Sequence, residues 1–305
     1  YGGLGSDNAM SVEECESGGY IVAGTTGSFG NGSSDIYLIR LDEQGDLIWS
    51  RYFGGLGADI GVGCHESDGG FIVAGTVNDV ATADYSMTLI KTDASGALMW
   101  QVSFGGSDWD ICKGVVILPD GYLLHGITYD EQSPQGVGVA IRTDFEGTVL
   151  WEHRVVSAAS SSLNDGLALP DGSVVLCGSM KTANGDEDGF LTRLNENGDE
   201  VWLTPYGGNE DDVFNSVAER IDGDRLRRAF GGLRRTDRHQ LVEIETADGK
   251  IGIDRRHLAH LGSDRALGIH VAEARREILE IGGALAGDDI TVEGEGLGQR
   301  PFGGF

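Results

Sequence analysis

The chain has 305 residues, enough for a large buried core, and its 22 basic against 49 acidic side chains give a formal charge of −27. That balance opposes nucleic-acid backbones and anionic membrane surfaces, both polyanions, as partners. Fifty glycines with 5 prolines and no Gly-X-Y period exclude collagen and proline-rich linkers, and no apolar run of roughly 18 residues offers a membrane span.

The chain opens on Tyr1-Gly2-Gly3, a phrase that elsewhere closes a repeat, so an excised or processed piece of a longer protein is expected. In the first unit, four short apolar stretches are bounded by Gly, Asn, Asp and Ser, which predicts strands at Ala9–Cys15, Tyr20–Gly24, Ile36–Leu41 and Leu47–Tyr52. Tyr20 and Val22 alternate with Ile21 and Ala23, so the second strand is apolar on both faces and belongs between two sheets. The unit closes on LDEQGDLIW at Trp49. The same phrase returns as TDASGALMW at Trp100, TDFEGTVLW at Trp151 and LNENGDEVW at Trp202, always 51 residues on. Gly45, Gly96, Gly147 and Gly198 keep that period, as do Arg40, Lys91, Arg142 and Arg193.

A fixed period of this length means stacked copies of one unit. Four antiparallel strands in about 50 residues make the blade of a β-propeller, and a solenoid would bury the same strands without closing. Chain length over period predicts about six four-stranded antiparallel blades in one all-β domain, 1–305, with repeats near 2–53, 54–104, 105–155, 156–206, 207–257 and 258–305. The last two are degenerate: Arg225, Arg227, Arg228, Arg234, Arg235 and Arg238 crowd where earlier units carry turn glycines and apolar strands. Repeat decay and a docking surface for an acidic partner both account for this. The periodic basic residue stands two positions before Asp42, Asp93, Asp144 and Asn195, on the same strand face, and ion pairs holding the turn are expected.

Cys15, Cys64, Cys112 and Cys177 are too few for a disulfide scaffold and lie in apolar stretches, as small core residues do. Cys15 and Cys64 hold comparable places in successive repeats, and a pairing between them stays open. No G-x-S-x-G, H-E-x-x-H or phosphate-cradling glycine loop is present. The 7 histidines share no place in the repeat, and His257-x-x-His260 falls in a strand-to-loop region unsuited to a metal. Asn184-x-Asp186-x-Asp188-Gly189 matches the first half of a calcium loop, with Asn195 where a bidentate Glu is wanted. It reads as a weak calcium site or a solvated acidic turn. Asp7, Asp59, Asp110 and Asp212 recur where each repeat begins. They would form a partial ring attracting cations at a channel mouth, or cap their own turns. Asn31-Gly32-Ser33 is a glycosylation sequon where the host glycosylates.

The D-x-x-G-x-x-x-W phrase at Asp42/Gly45/Trp49, Asp93/Gly96/Trp100 and Asp144/Gly147/Trp151 resembles the tryptophan-docking repeat of quinoprotein-like propellers. That resemblance implies an outer-strand indole packed on the next blade and a glycine permitting the turn before it. The whole unit, with GGYIVAG and DIYLIRLD, looks more like repeats of secreted and surface-attached bacterial and archaeal propellers, whose role is binding or scaffolding. The adjacent cysteine pair expected beneath a quinone is missing, no calcium-ligating set matches by position, and about six blades differ from eight, so the enzymatic part does not carry over. The expectation is a non-catalytic binding or scaffold module outside the cell, within a larger surface or secreted protein. Its ligand would be a protein or glycan, with no nucleic acid, no membrane insertion and no cofactor beyond calcium. The rival is a hydrolase or lyase acting on sugars or lactones through acidic residues at the channel mouth.

Overall fold

The computed structural model describes residues 1–245 apart from 132, 157–158, 183–184, 209, 223–224 and 235–237, with backbone only from 219 on. All of these residues lie in one compact unit, Tyr1–Ile253. The first sheet runs in sequence order through β1 (Asp7–Glu14), β2 (Tyr20–Thr26), β3 (Asp35–Leu41) and β4 (Leu47–Phe53). The second holds β5 (Ile60–Ser67), β6 (Gly70–Asp79), β7 (Asp84–Asp93) and β8 (Leu98–Phe104), and the third β9 (Asp110–Leu118), β10 (Gly121–Thr128), β11 (Val137–Thr143) and β12 (Val149–Arg154). The fourth comprises β13 (Ser161–Ala168), β14 (Val174–Lys181), β15 (Glu187–Leu194) and β16 (Glu200–Tyr206). A fifth sheet contributes β17 (Asp212–Asp222), β18 (Arg225–Arg234) and β19 (Arg238–Glu245). The arginine-rich run therefore pairs as ordinary antiparallel strand.

Every pairing within a sheet is antiparallel, and the predicted strands of the first blade are found with ends displaced by two residues at most. The two middle strands of each of the first four blades carry most of its buried apolar side chains because both faces are covered. β11 is buried along its whole length, and β3, β10 and β14 nearly so. The core consequently lies between blades. Ile21, Ala23, Ile36 and Leu38 of the first meet Cys64, Phe71, Val73 and Ile90 of the second. Ile72, Met87 and Leu89 then meet Cys112, Tyr122 and Leu124 of the third, and the same layering continues into the fourth and fifth. Each such side chain contributes about 1.5–3 kcal/mol when removed from water.

Two bulges recur in register. On the innermost strand the skipped residue is Met10, Val62, Lys113, Asn164 and Asn215 in successive blades, so the fifth keeps the pattern too. On the outermost strand the extra residue is Ile48, Met99, Leu150 and Val201, each directly before the periodic tryptophan. A bulge re-aims the side chains beyond it. Here it sets Trp49, Trp100, Trp151 and Trp202 opposite Arg40, Lys91, Arg142 and Arg193 and turns three of the indoles toward the following blade. Trp49 lies against Gly96, Trp100 against Gly147 and Trp151 against Gly198. A Cβ on those glycines would stand 2.8, 3.3 and 2.6 Å from ring carbons. The same glycines have φ of 78°, 82° and 82°, so the turn and the docked indole demand glycine independently.

The periodic basic residue does not pair with the acid two positions on. Arg40 donates to Ser17 Oγ and to the carbonyls of Gly18, Tyr20 and Leu41, and Lys91 to the Ser67 carbonyl. Arg142 reaches Asp120 at 2.6 Å, and Arg193 reaches Asp171. In each blade it ties down the turn between the first two strands. Asp42, Asp93, Asp144 and Asn195 instead accept backbone N–H groups two and four residues ahead, as turn-capping Asx side chains do. The close-range capping bonds form within one turn, whereas the hairpin next door offers the cation several carbonyls at once. All four cysteines are buried and free, so Cys15 and Cys64 share a core cluster without a disulfide.

Candidate functional site

The two ends of a blade differ in chemistry. At one end lie the capped turns, the basic residue and the docked indole. At the other, the chain passes from one blade to the next, and the sequence-predicted carboxylates gather there. Asp7, the first residue of β1, accepts from Gly3 N–H at 2.9 Å and from Thr26 and Ser28 hydroxyls. The Ser28 and Thr26 hydrogen bonds hold its carboxyl below the usual range. Asp59 accepts from Gly55 N–H at 2.6 Å and Asn78 N–H at 2.7 Å and is fully buried. Asp110 accepts from Gly106 N–H at 2.8 Å, and burial, outweighing bonds from Thr128 and Gly106, raises its carboxyl. Each therefore receives the N–H four residues before it and closes the turn that leads into its blade.

These carboxylates also explain the paired glycines ahead of them. A Cβ on Gly2 would meet the Asp7 carboxylate at 2.5 Å, one on Gly54 or Gly105 would run into Asp59 or Asp110 in the same way, and one on Gly207 would meet Asp188 instead. In the fourth repeat the aspartate becomes Ser161, bonded to Gly138 N–H and the Val155 carbonyl, and the glycine becomes Val156.

Of the proposed calcium loop, Asn184 lies outside the described residues. Asp186 sits on the turn into β15 and Asp188 on the strand itself, near Asp212 of the next blade: burial first, then the charges of Asp212 and Asp186, raise the Asp188 carboxyl. The structure thus joins one residue from each predicted set. Among the described residues no group of three His, Cys, Asp or Glu side chains is placed to hold a metal ion.

A fifth carboxylate, missed in the sequence, completes the arrangement. Asp35 opens β3, is 1% exposed, and directs Oδ2 at Asn31 and Gly32 N–H while Oδ1 has no hydrogen-bond partner. It stands three periods before Asp188, whose Oδ1 is likewise buried and unpartnered. That interval could have revealed it, but Ser86 and Val137 occupy the intervening places and break the period.

Elsewhere, a shallow cavity of about 350 Å³ at the opposite end of the blade is lined by Asp120, Arg142, Leu150, Trp151, Glu196 and Asn197. His65 lies between Glu13 on Nδ1 and the Val115 carbonyl, 3.0 Å from Nε2, spanning three blades. The thiols offer no nucleophile, since burial pushes Cys64 and Cys112 up to about 12.

Repeated four-stranded sheets stacked through their faces define a β-propeller. Residues 17–47 and 169–199 match the model of a domain of unknown function (DUF5122) beta-propeller, over corresponding parts of the first and fourth blades. No curated protein matches. Among solved structures, the chain is similar to an endo-arabinase from Bacteroides thetaiotaomicron at 14% identity, over 81% of this chain and 97% of that one, with a TM-score of 0.44. It is similar to a Synechocystis apocarotenoid oxygenase mutant at 12% identity, over 80% of this chain and 60% of that one, with a TM-score of 0.47. The Neurospora crassa Pan2 WD40 domain follows at 12%, over 78% and 66%, with a TM-score of 0.43.

Proposed function

We propose that this protein is a non-catalytic binding or scaffold module of the cell exterior, built of about six blades of the tryptophan-docking kind and carried within a larger surface or secreted protein. The observation that carries this reading is a set of apolar side chains on the outermost strands, presented to solvent at the same place in each of the first four blades. Leu47 and Ile48 are 47% and 55% exposed, Leu98 and Met99 53% and 61%, Val149 and Leu150 48% and 51%, and Val201 53%. Exposed apolar side chains repeated at one place from blade to blade support contact with another molecule. The charge of −27 suits an exterior location and opposes nucleic acid or an anionic membrane as that molecule, which leaves a protein or glycan ligand. The carboxylates at the blade junctions are engaged with their own turns, which supports a structural duty for them over the rival hydrolase or lyase reading.

A glycan array and a panel of secreted and surface proteins, run beside a broad hydrolase screen, test this. Saturable binding without turnover is expected, and it should disappear when Ile48→Ser, Met99→Ser, Leu150→Ser and Val201→Ser are combined. Turnover that vanishes in Asp59→Asn or Asp110→Asn would overturn the reading in favour of an enzyme.

A further inference from the structure

The junction between the first and second blades buries two carboxylates against each other. Ser34 and Ala58 form a parallel bridge, and Asp59 N–H donates to the Ser34 carbonyl at 2.9 Å, which brings the next residues, Asp35 and Asp59, side by side. Asp35 Oδ1 and Asp59 Oδ2 both fall within 2.6 Å of the point a Cβ on Gly54 would occupy, so they are at most about 5 Å apart. The two residues are 1% and 0% exposed. Among the described residues neither has an ion-pair partner. Four backbone N–H groups satisfy Asp35 Oδ2 and both oxygens of Asp59, but Asp35 Oδ1 is left beside the Asp59 carboxylate without a hydrogen-bond partner.

The same residue types return 153 positions later. Asp188, Gly207 and Asp212 take the places of Asp35, Gly54 and Asp59, and Asp188 Oδ1 is again the buried atom lacking a partner. The junctions between them carry Ser86 with Asp110, then Val137 with Ser161. A double carboxylate is therefore not required to join two blades. Two buried like charges this close cannot both persist uncompensated.

We propose that this first junction holds one hard divalent cation of the calcium class, bridging Asp35 to Asp59. Calcium takes oxygen ligands at about 2.3–2.6 Å, so one ion spans two oxygens up to about 5 Å apart. The ion draws the end of one blade's third strand onto the start of the next blade, which makes it a structural clasp. The inference does not depend on the proposed binding role, and turnover in the hydrolase screen would leave it untouched.

The test is titration calorimetry with calcium chloride on the chelator-treated, dialysed protein, with thermal melting in calcium and in chelator. Wild type should bind one calcium ion at about 0.1–1 mM, as extracellular modules with few ligands do, and melt several degrees higher in calcium. Asp35→Asn should lose that ion. Asparagine at 35 keeps an acceptor for Asn31 and Gly32 and offers an amide N–H to Asp59, so Asp35→Asn stays folded while losing the calcium-dependent shift. Absence of calcium binding and of any chelator effect on wild type would overturn the proposal. So would an ion retained by Asp35→Asn.

Discussion

Gly198→Ala and Gly45→Ala perturb the same turn at the same backbone geometry, φ 82° and 85°, but with different surroundings. Both pay the left-handed cost of an L residue, about 1–2 kcal/mol. Around Gly45 nothing lies within 4 Å of the new methyl, so the cost stops there. At Gly198 the methyl would lie 2.6 to 3.0 Å from Cδ2, Cε3 and Cγ of Trp151, and the indole must move. Moving it breaks the 2.9 Å bond from Trp151 Nε1 to the Glu196 carbonyl, about 0.5–1.5 kcal/mol, and adds overpacking of about 1–3 kcal/mol. Gly198→Ala should therefore cost about 2 kcal/mol more than Gly45→Ala. That difference corresponds to roughly 4–8 °C of melting temperature for a domain of this size class. Circular dichroism melts of the two variants measure it, and tryptophan emission should shift to the red in Gly198→Ala only. Equal melting shifts with unchanged emission would refute the docking of each indole on the next blade's turn.

Trp100→Ala should destabilise by about 2–4 kcal/mol by urea titration, because the ring packs against the core between the second and third blades. Trp109→Ala, 53% exposed and edge-on to Tyr85 at 5.2 Å, should cost less than about 1 kcal/mol, and similar values for both would contradict the packing scheme. Burial opposes the charge on His65, but its hydrogen bond to Glu13, the Glu13 charge and the Val115 carbonyl outweigh that and raise it, while Glu13 is lowered because the His65 bond and charge outweigh its burial. The His65 contribution is complete below about pH 6.5 and is lost as pH rises through its raised folded value, and that of Glu13 is present above about pH 4.5 and is lost as pH falls through its lowered one. Relative to Glu13→Gln, wild type should thus be favoured by about 1 kcal/mol more at pH 5.5 than at pH 8.5 in urea titrations at each pH, a modest figure since a third of each side chain is exposed.

Periodicity made the blade legible, because strands covered on both faces must read as continuous apolar runs and every turn at one end must hold the same glycine. The partner of the basic residue was not legible. On sequence distance Asp42 is the nearest acid to Arg40, yet its carboxylate is committed to Gln44 and Asp46 N–H, and the guanidinium turns to the adjoining hairpin. The outer bulge was hidden for a related reason. Leu47 and Ile48 look like two more strand residues, and only the register shows that Ile48 has no partner and that its insertion aims Trp49. Asp35 escaped notice because its meaning depends on Asp59, 24 residues away, and on a glycine between them whose missing side chain leaves room for both.

Variation among the repeats is confined mainly to one end of the blade, and the packing explains why. Bulge, indole and following glycine form a single mechanical chain from each of the first three blades to the next, so any one of them altered alone leaves a cavity or a clash at that contact. At the other end each junction is satisfied locally: Ser161 bonds to Gly138 N–H and the Val155 carbonyl, whereas Asp59 draws on Gly55 and Asn78, and either solution joins two blades. Only a local solution can be exchanged without disturbing its neighbours. The series Asp35 with Asp59, Ser86 with Asp110, Val137 with Ser161 and Asp188 with Asp212 is such an exchange, and specialisation of individual blades belongs at that end.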